Sequence, residues 1–259
     1  PLNISPSPSE TSRLNSLSLD AIRHANEAFC RCNNDMTSLK LGDYQVMFCP
    51  PAMVRQLTQF IHQFWRPNHP LSASRPLLEW QHWNVDEEYF NFVIAYHRKL
   101  KRIDGVLGFI PSSQFDLQLI PDRAIWTAIW KVRDESQYPL LGSELLCFLE
   151  KTLHPKVISG VGVSREAMPF YESLGYQVGE LPHFVIVNPW RREHPMCSGI
   201  PPAEVATESE GRLVEVSQGE LSSFLGSWNR SHRSVPKKSY SYFLNRYLRH
   251  PFYHYRIRR

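Results

Sequence analysis

The sequence predicts an α/β (α+β) fold with one main domain over residues 43–190 and part of a second unit over 212–259. Three observations carry this. Short apolar runs bounded by turn residues alternate with segments whose apolar residues recur every three or four positions, the periods of strands and amphipathic helices. From 44 to 190 the segments run β-α-α-β-β-β-α-β-α-β-β. A polar, Pro-containing stretch at 191–211 then reads as a linker, after which the pattern restarts.

The elements follow in order. Residues 1–42 are an arm whose first twenty positions are rich in Ser and Pro and poor in apolar groups, a composition that does not build a core. YQVMF (44–48) reads as a strand. In 52–65, Val54, Leu57, Phe60, Ile61 and Phe64 mark one helix face. RPNHPLS (66–72) is a loop and 76–84 a short helix. YFNFVIAYH (89–97) and GVLGFIP (105–111) are strands joined by a turn at 99–104, and AIWTAIWKV (124–132) is a strong strand after a loop. The helix at 140–153 buries Leu141, Leu145, Phe148 and Leu149. A strand at 156–163, a helix at 165–175 ended by Gly175, and strands at 176–181 and 183–188 complete the set. In the second unit, strands at 212–217 and 252–257 and helices at 219–228 and 241–251 echo the order of 44–97, a weak internal repeat.

Composition narrows the function. The net charge of +4 is a mild excess that does not call for nucleic acid and suits an anionic ligand such as a phosphorylated cofactor. The five cysteines are odd in number and irregularly spaced, so reduced thiols, no metal site and a cytoplasmic location are expected. No apolar run has the length of a membrane span, and 1–12 lacks the basic and apolar parts of a signal peptide. A homodimer is one option the sequence leaves open.

The chemistry concentrates in 124–151, where a buried strand runs through a loop into a helix start. Such a start offers unpaired N–H groups and the positive end of the helix dipole, which suit a pyrophosphate. Gly142 has no Cβ to hold a phosphate off the backbone. Gln137-Tyr138-Pro139-Leu140-Leu141-Gly142 resembles the phosphate-binding pattern of GNAT acetyltransferases, with Leu140 in place of its first glycine. A second stretch, 156–179, is similar to the other signature of that superfamily. Ser164 stands for its Asn, Ala167, Tyr171 and Gly175 match, and Tyr176 replaces Phe. FWRPNHPLS, LLEWQHWN, GVLGFIPSSQFD and AIWKVRDE further resemble GNAT-type sugar acetyltransferases of bacterial surface-polysaccharide synthesis.

The resemblance implies the GNAT fold, a mixed, mostly antiparallel sheet flanked by helices, and acetyl-CoA or another short acyl-CoA as cofactor. It implies transfer of the acyl group to an amine, that of a nucleotide-linked amino sugar. Backbone groups of Trp130, Lys131 and Val132 then orient the pantetheine arm. The helix start from Gln137 and Tyr138 through Leu140, Leu141, Gly142 and Ser143 holds the pyrophosphate, while Ser164 and Ala167 line the cofactor. Tyr171 falls at the general-acid position. His69, Glu79, His82 and Asp116 are candidate bases, and with Gln114 they are also candidate acceptor contacts. A water chain is an alternative base. Trp65, Trp80 and Trp83 are a candidate aromatic wall, although helical spacing also suits them to a core. Two other functions are compatible: a tandem GNAT-like transferase that uses aminoacyl-tRNA, and a non-catalytic acyl-CoA-binding module.

Overall fold

The computed structural model describes residues 38–165, 167–181, 214–231 and 236–258. Its centre is a seven-stranded, mostly antiparallel sheet flanked by helices. The strands are β1 (Ser38–Leu41), β2 (Tyr44–Cys49), β3 (Trp83–Asn84), β4 (Tyr89–His97), β5 (Arg102–Pro111), β6 (Ala124–Val132) and β7 (Val157–Gly160). The order is β1-β2-β4-β5-β6-β7, with β3 paired to β4 off this path. Only β6 and β7 run parallel.

Side-chain alternation gives the sheet two apolar faces. Val93, Ala95, Leu107 and Phe109 pack under α4 (Leu141–Leu153), where Leu141, Leu145, Phe148 and Leu149 are buried as expected. Phe92, Ile94, Val106 and Ile129 pack beneath α1 (Val54–Phe60), α2 (Pro70–Ala73) and α3 (Arg75–His82). A π turn, Ile61–Trp65, extends α1. Both faces are covered, so β4 and β5 read as continuous apolar runs.

Several elements differ from expectation. A strand precedes Tyr44, because a tight turn at Gly42 (φ +57°) folds Ser38–Leu41 back onto β2. The expected 66–72 loop contains α2, started by Pro70 and capped by His69. The last expected helix is shorter, α5 (Met168–Ser173), and Gly175 (φ +85°) ends it. Residues 176–181 form no strand, and 183–188 lie outside the described residues.

In the C-terminal segment, α6 (Gln218–Ser231) and α7 (Tyr240–Phe243), which a π turn at Leu244–Leu248 continues, occupy the expected helical stretches. Among the described residues neither expected strand forms. One bridge, Glu215 to Arg258, is what remains of the pair expected at 212–217 and 252–257. The Phe252–Arg256 run is exposed and, among the described residues, has no neighbouring strand to complete a ladder. Tyr242 instead packs into a third cluster with Ile110, Phe115 and Leu119, joined by Trp80, Trp126, Phe243 and Tyr247. Cys49 is a buried free thiol and Cys147 is half-buried, while Cys30, Cys32 and Cys197 lie outside the described residues. No helix of the described residues is long and apolar enough to cross a membrane.

Candidate active site

The parallel strands part early. β6 and β7 pair from Ala124↔Val157 to Thr127↔Gly160, and there the ladder stops although β6 continues to Val132. At the last rung a Cβ on Gly160 would stand 2.7 Å from Thr127 Oγ1, so glycine lets the strands approach closely just before they splay. A bulge accompanies the splay: Leu107 faces Trp130 while Phe109 faces Thr127, so three steps of β6 oppose two of β5. Beyond it, the Arg133 N–H donates to Asp104 O at 2.7 Å. Antiparallel alternation then aims Lys131 at β5 and turns the backbone groups of Trp130 and Val132 into the splay. Lys131 Nζ meets Asp134 Oδ1 at 3.1 Å.

The loop after β6 is braced from below. Asp104 is fully buried. It accepts from Arg102 Nε at 2.8 Å and from Tyr44 Oη at 3.1 Å, and Arg133 Nε lies 3.2 Å away. Ser136 Oγ, 3.4 Å from Tyr44 Oη, accepts the Tyr138 N–H. Sequence reasoning missed this brace, because a lone Asp in KRIDG reads as a turn residue.

The brace delivers the chain to the start of α4, whose N-cap Leu140 offers no side-chain cap. The N–H groups of Tyr138 and Leu141 are used locally, bonded to Ser136 Oγ and Tyr138 O. Those of Leu140, Gly142 and Ser143 have no partner among the described residues. Gln137 is exposed beside them. A Cβ on Gly142 would sit 3.5 Å from Trp130 Nε1 and 3.6 Å from Val132 Cγ2, ordinary contact distances. Glu144 lies behind this start, accepting from Tyr138 Oη at 3.3 Å, with Oε2 buried and unpartnered among the described residues. Burial raises its carboxyl above the usual range.

Trp130 spans from this helix start to α5, its ring 5.6 Å from Phe170 and 5.3 Å from Tyr171. Ser164 caps the turn before α5, its Oγ accepting the Ala167 N–H at 3.3 Å. Tyr171 is half-buried and its hydroxyl has no partner among the described residues. Burial pushes that hydroxyl up to about 12, so it stays protonated at neutral pH.

The candidate acceptor residues separate into two groups. His82 is fully buried. Its Nδ1 donates to Phe109 O and its Nε2 accepts from Gln81, while burial pushes it down to about 3. It is a neutral core histidine and not an acceptor contact. Gln114 is likewise committed, accepting from Asn91 and donating to the carbonyls of Trp80 and Gln81. Asp116 accepts the Gln118 N–H and a very short bond from Ser239 Oγ, which makes it an anchor for the C-terminal segment rather than a free base. His69 is half-buried, its Nδ1 accepts the Leu71 N–H, and burial followed by Arg66 lowers its pKa. Its neutral ring therefore carries the proton on Nε2, a donor and not a base. Glu79 is exposed and paired with Arg75 at 2.7 Å. Trp65 and Trp83 pack on the core beneath the helices, and Trp80 is covered by His250. Among the described residues no cluster of ligating side chains could hold a metal ion.

No protein-family model and no curated protein matches the chain. Among solved structures, a Trypanosoma brucei acetyltransferase is 16% identical, with 56% of this chain and 100% of that one covered, at a TM-score of 0.39. A mosquito arylalkylamine N-acetyltransferase like 5b is 18% identical over 53% of this chain and 84% of that one, at a TM-score of 0.40. Likenesses of this depth carry no weight beyond the topology already described.

Proposed function

We propose that the domain is an acyl-CoA-dependent N-acyltransferase of the GNAT type, acting on the amine of a nucleotide-linked amino sugar. One observation supports it above the rest: the β6/β7 splay opens beside a helix start whose Leu140, Gly142 and Ser143 N–H groups, and a tyrosine whose hydroxyl, have no partner among the described residues. Unpaired backbone donors and acceptors of this kind fit the amides and phosphates of coenzyme A. When bound, coenzyme A supplies the acyl group as a thioester.

The chain's own residues then divide the work. The N–H groups of Leu140, Gly142 and Ser143 take the pyrophosphate, and the backbone of Trp130 and Val132 aligns the pantetheine amides. Tyr171 holds a proton at Oη and would be the group to supply it to the leaving thiolate. Nε2–H of His69 and the exposed Glu79 face the acceptor, placed between the 66–72 and 112–118 turns, while Gln114 and Asp116 fix those turns. With His69 poised as a donor, water removes the amine proton. The amino-sugar acceptor and the polysaccharide role rest on the sequence resemblance.

Calorimetry with acetyl-CoA, followed by free-thiol release with a panel of nucleotide-linked amino sugars, tests the proposal. Binding, and release with at least one such sugar, is expected. Absence of acetyl-CoA binding sinks it.

A further inference from the structure

Between Pro236 and Arg258 the chain has six Lys and Arg and no Asp or Glu. Two of these cations are drawn inward where the segment docks on the main domain. Lys238 is half-buried with Nζ 5.0 Å over the Trp126 ring. Arg246 is half-buried with its guanidinium 4.8 Å over Phe115 and 5.2 Å over Trp80. Its hydrogen bonds among the described residues are to Gln81 Oε1, long at 3.4 and 3.5 Å. Neither cation is ion-paired among the described residues. The charged group that acts on Lys238 is Arg246 itself, of like sign, and burial together with that repulsion lowers the ammonium pKa. The indole N–H of Trp126 is buried and also lacks an acceptor among the described residues.

Like charges held this way cost free energy unless something answers them. Aromatic faces contribute little on the scale of an anion, about 0.5–2 kcal/mol per contact. The segment is nevertheless fixed in place. Ser239, next to Lys238, bonds to Asp116, and Asn245, next to Arg246, donates to Phe115 O at 2.8 Å. Flexible cations would swing out to water; these are seated by their neighbours on an aromatic floor of buried Phe115 and half-buried Trp80 and Trp126.

We infer that Lys238 and Arg246 form an anion subsite for a phosphate group, built where the C-terminal segment meets the 112–126 region. Two cations with no ion-pairing carboxylate among the described residues match a phosphate dianion, Arg246 offering paired N–H groups and Lys238 a point charge. The subsite stands on its own geometry; that the phosphate belongs to the acceptor rests on the acyltransferase reading above. It is separate from the helix start at Gly142, which would hold the cofactor's phosphates.

Two measurements test it without turnover. First, inorganic phosphate protects Lys238 from reductive methylation, read by peptide mass spectrometry on the folded chain. No protection at saturating phosphate overturns the subsite. Second, calorimetry compares phosphate binding to Lys238→Met, to Lys238→Arg and to the parent chain. Lys238→Met is expected to bind roughly ten- to a hundred-fold more weakly, the loss of one charge-assisted contact, and Lys238→Arg to retain most of the affinity. Equal affinity for Lys238→Met and the parent overturns the proposal. Gly142→Val separates the two readings: it leaves phosphate protection of Lys238 unchanged, whatever it does to acetyl-CoA.

Discussion

The Trp130 indole stands edge-on to the Tyr171 ring, centroids 5.3 Å apart and planes at 86°. Through that contact the strand that leaves the splay fixes where the α5 hydroxyl points. A general acid must be positioned as well as protonated, and Trp130 with Tyr176, 5.8 Å away on the other side, holds the ring. Tyr171→Phe keeps both ring contacts and removes only an unpartnered hydroxyl. It should fold with unchanged Tm, lower kcat about a hundred-fold, and leave KM for acetyl-CoA near its starting value. A fully active variant excludes the acid role. If Tyr171 is the acid, the parent chain, whose hydroxyl is pushed up to about 12, should show no fall in kcat from this group between pH 7 and 10.

Gly142 tests the cofactor site without touching the chemistry. The nearest atoms a Cβ would meet are at ordinary contact distance, so Gly142→Ala should be tolerated by the fold. Gly142→Val projects two methyl groups beside N–H donors proposed for the phosphates. Acetyl-CoA affinity should fall about ten-fold or more, with Tm within a few degrees of the parent. Calorimetry showing unchanged affinity moves the phosphates away from α4.

The parts that could be read from the sequence are those whose signal is local. Leu141, Leu145 and Leu149 recur at helical spacing, and α4 packs on them. The alternation of Val93 and Ala95 with Phe92 and Ile94 is invisible as a pattern because both faces are buried, yet the run itself marks a strand. Pairing over distance was not legible. Asp116 and Ser239 are 123 positions apart, and nothing near either says that one anchors the other. His82 is a candidate from its residue type alone; its sealing by Phe109 and Gln81 depends on tertiary packing. The failed strand at 252–257 shows the converse, since aromatic alternation gives a strand only when a neighbour supplies the other half of the ladder.

That sealed histidine makes stability depend on pH. His82 is held down to about 3 in the fold, against about 6.5 in an unfolded chain. Between those values the unfolded state binds the extra proton, so stability is lost as pH falls from about 6.5 toward 3, at up to about 1.4 kcal/mol per pH unit. His82→Asn keeps a donor near the position of Nδ1 and does not titrate. Urea melts at pH 7.5, 6 and 5 should show the parent weakening faster than the variant. Parallel declines rule His82 out as the source.

Asp104 separates a structural brace from the binding groups it supports. Its carboxylate is fully buried among Arg102, Arg133 and Tyr44, and its own carbonyl accepts the Arg133 N–H. Removing it leaves the half-exposed Arg102 and the more buried Arg133 without their shared carboxylate, a destabilising change. The same change frees the chain between Arg133 and Tyr138, since the Tyr44 hydroxyl that reaches Asp104 also lies at bonding distance from Ser136. Asp104→Ala should therefore lower both Tm and acetyl-CoA affinity, whereas Gly142→Val lowers affinity alone. Asp104→Asn keeps the shape and loses the charge, and should fall between the parent and the alanine variant in both measurements. Thermal melts with calorimetry below the melting range decide it. If Asp104→Ala melts lower yet binds acetyl-CoA like the parent, the brace supports the sheet but not the helix start, and the site's geometry is set by Trp130 and Val132 without help from below.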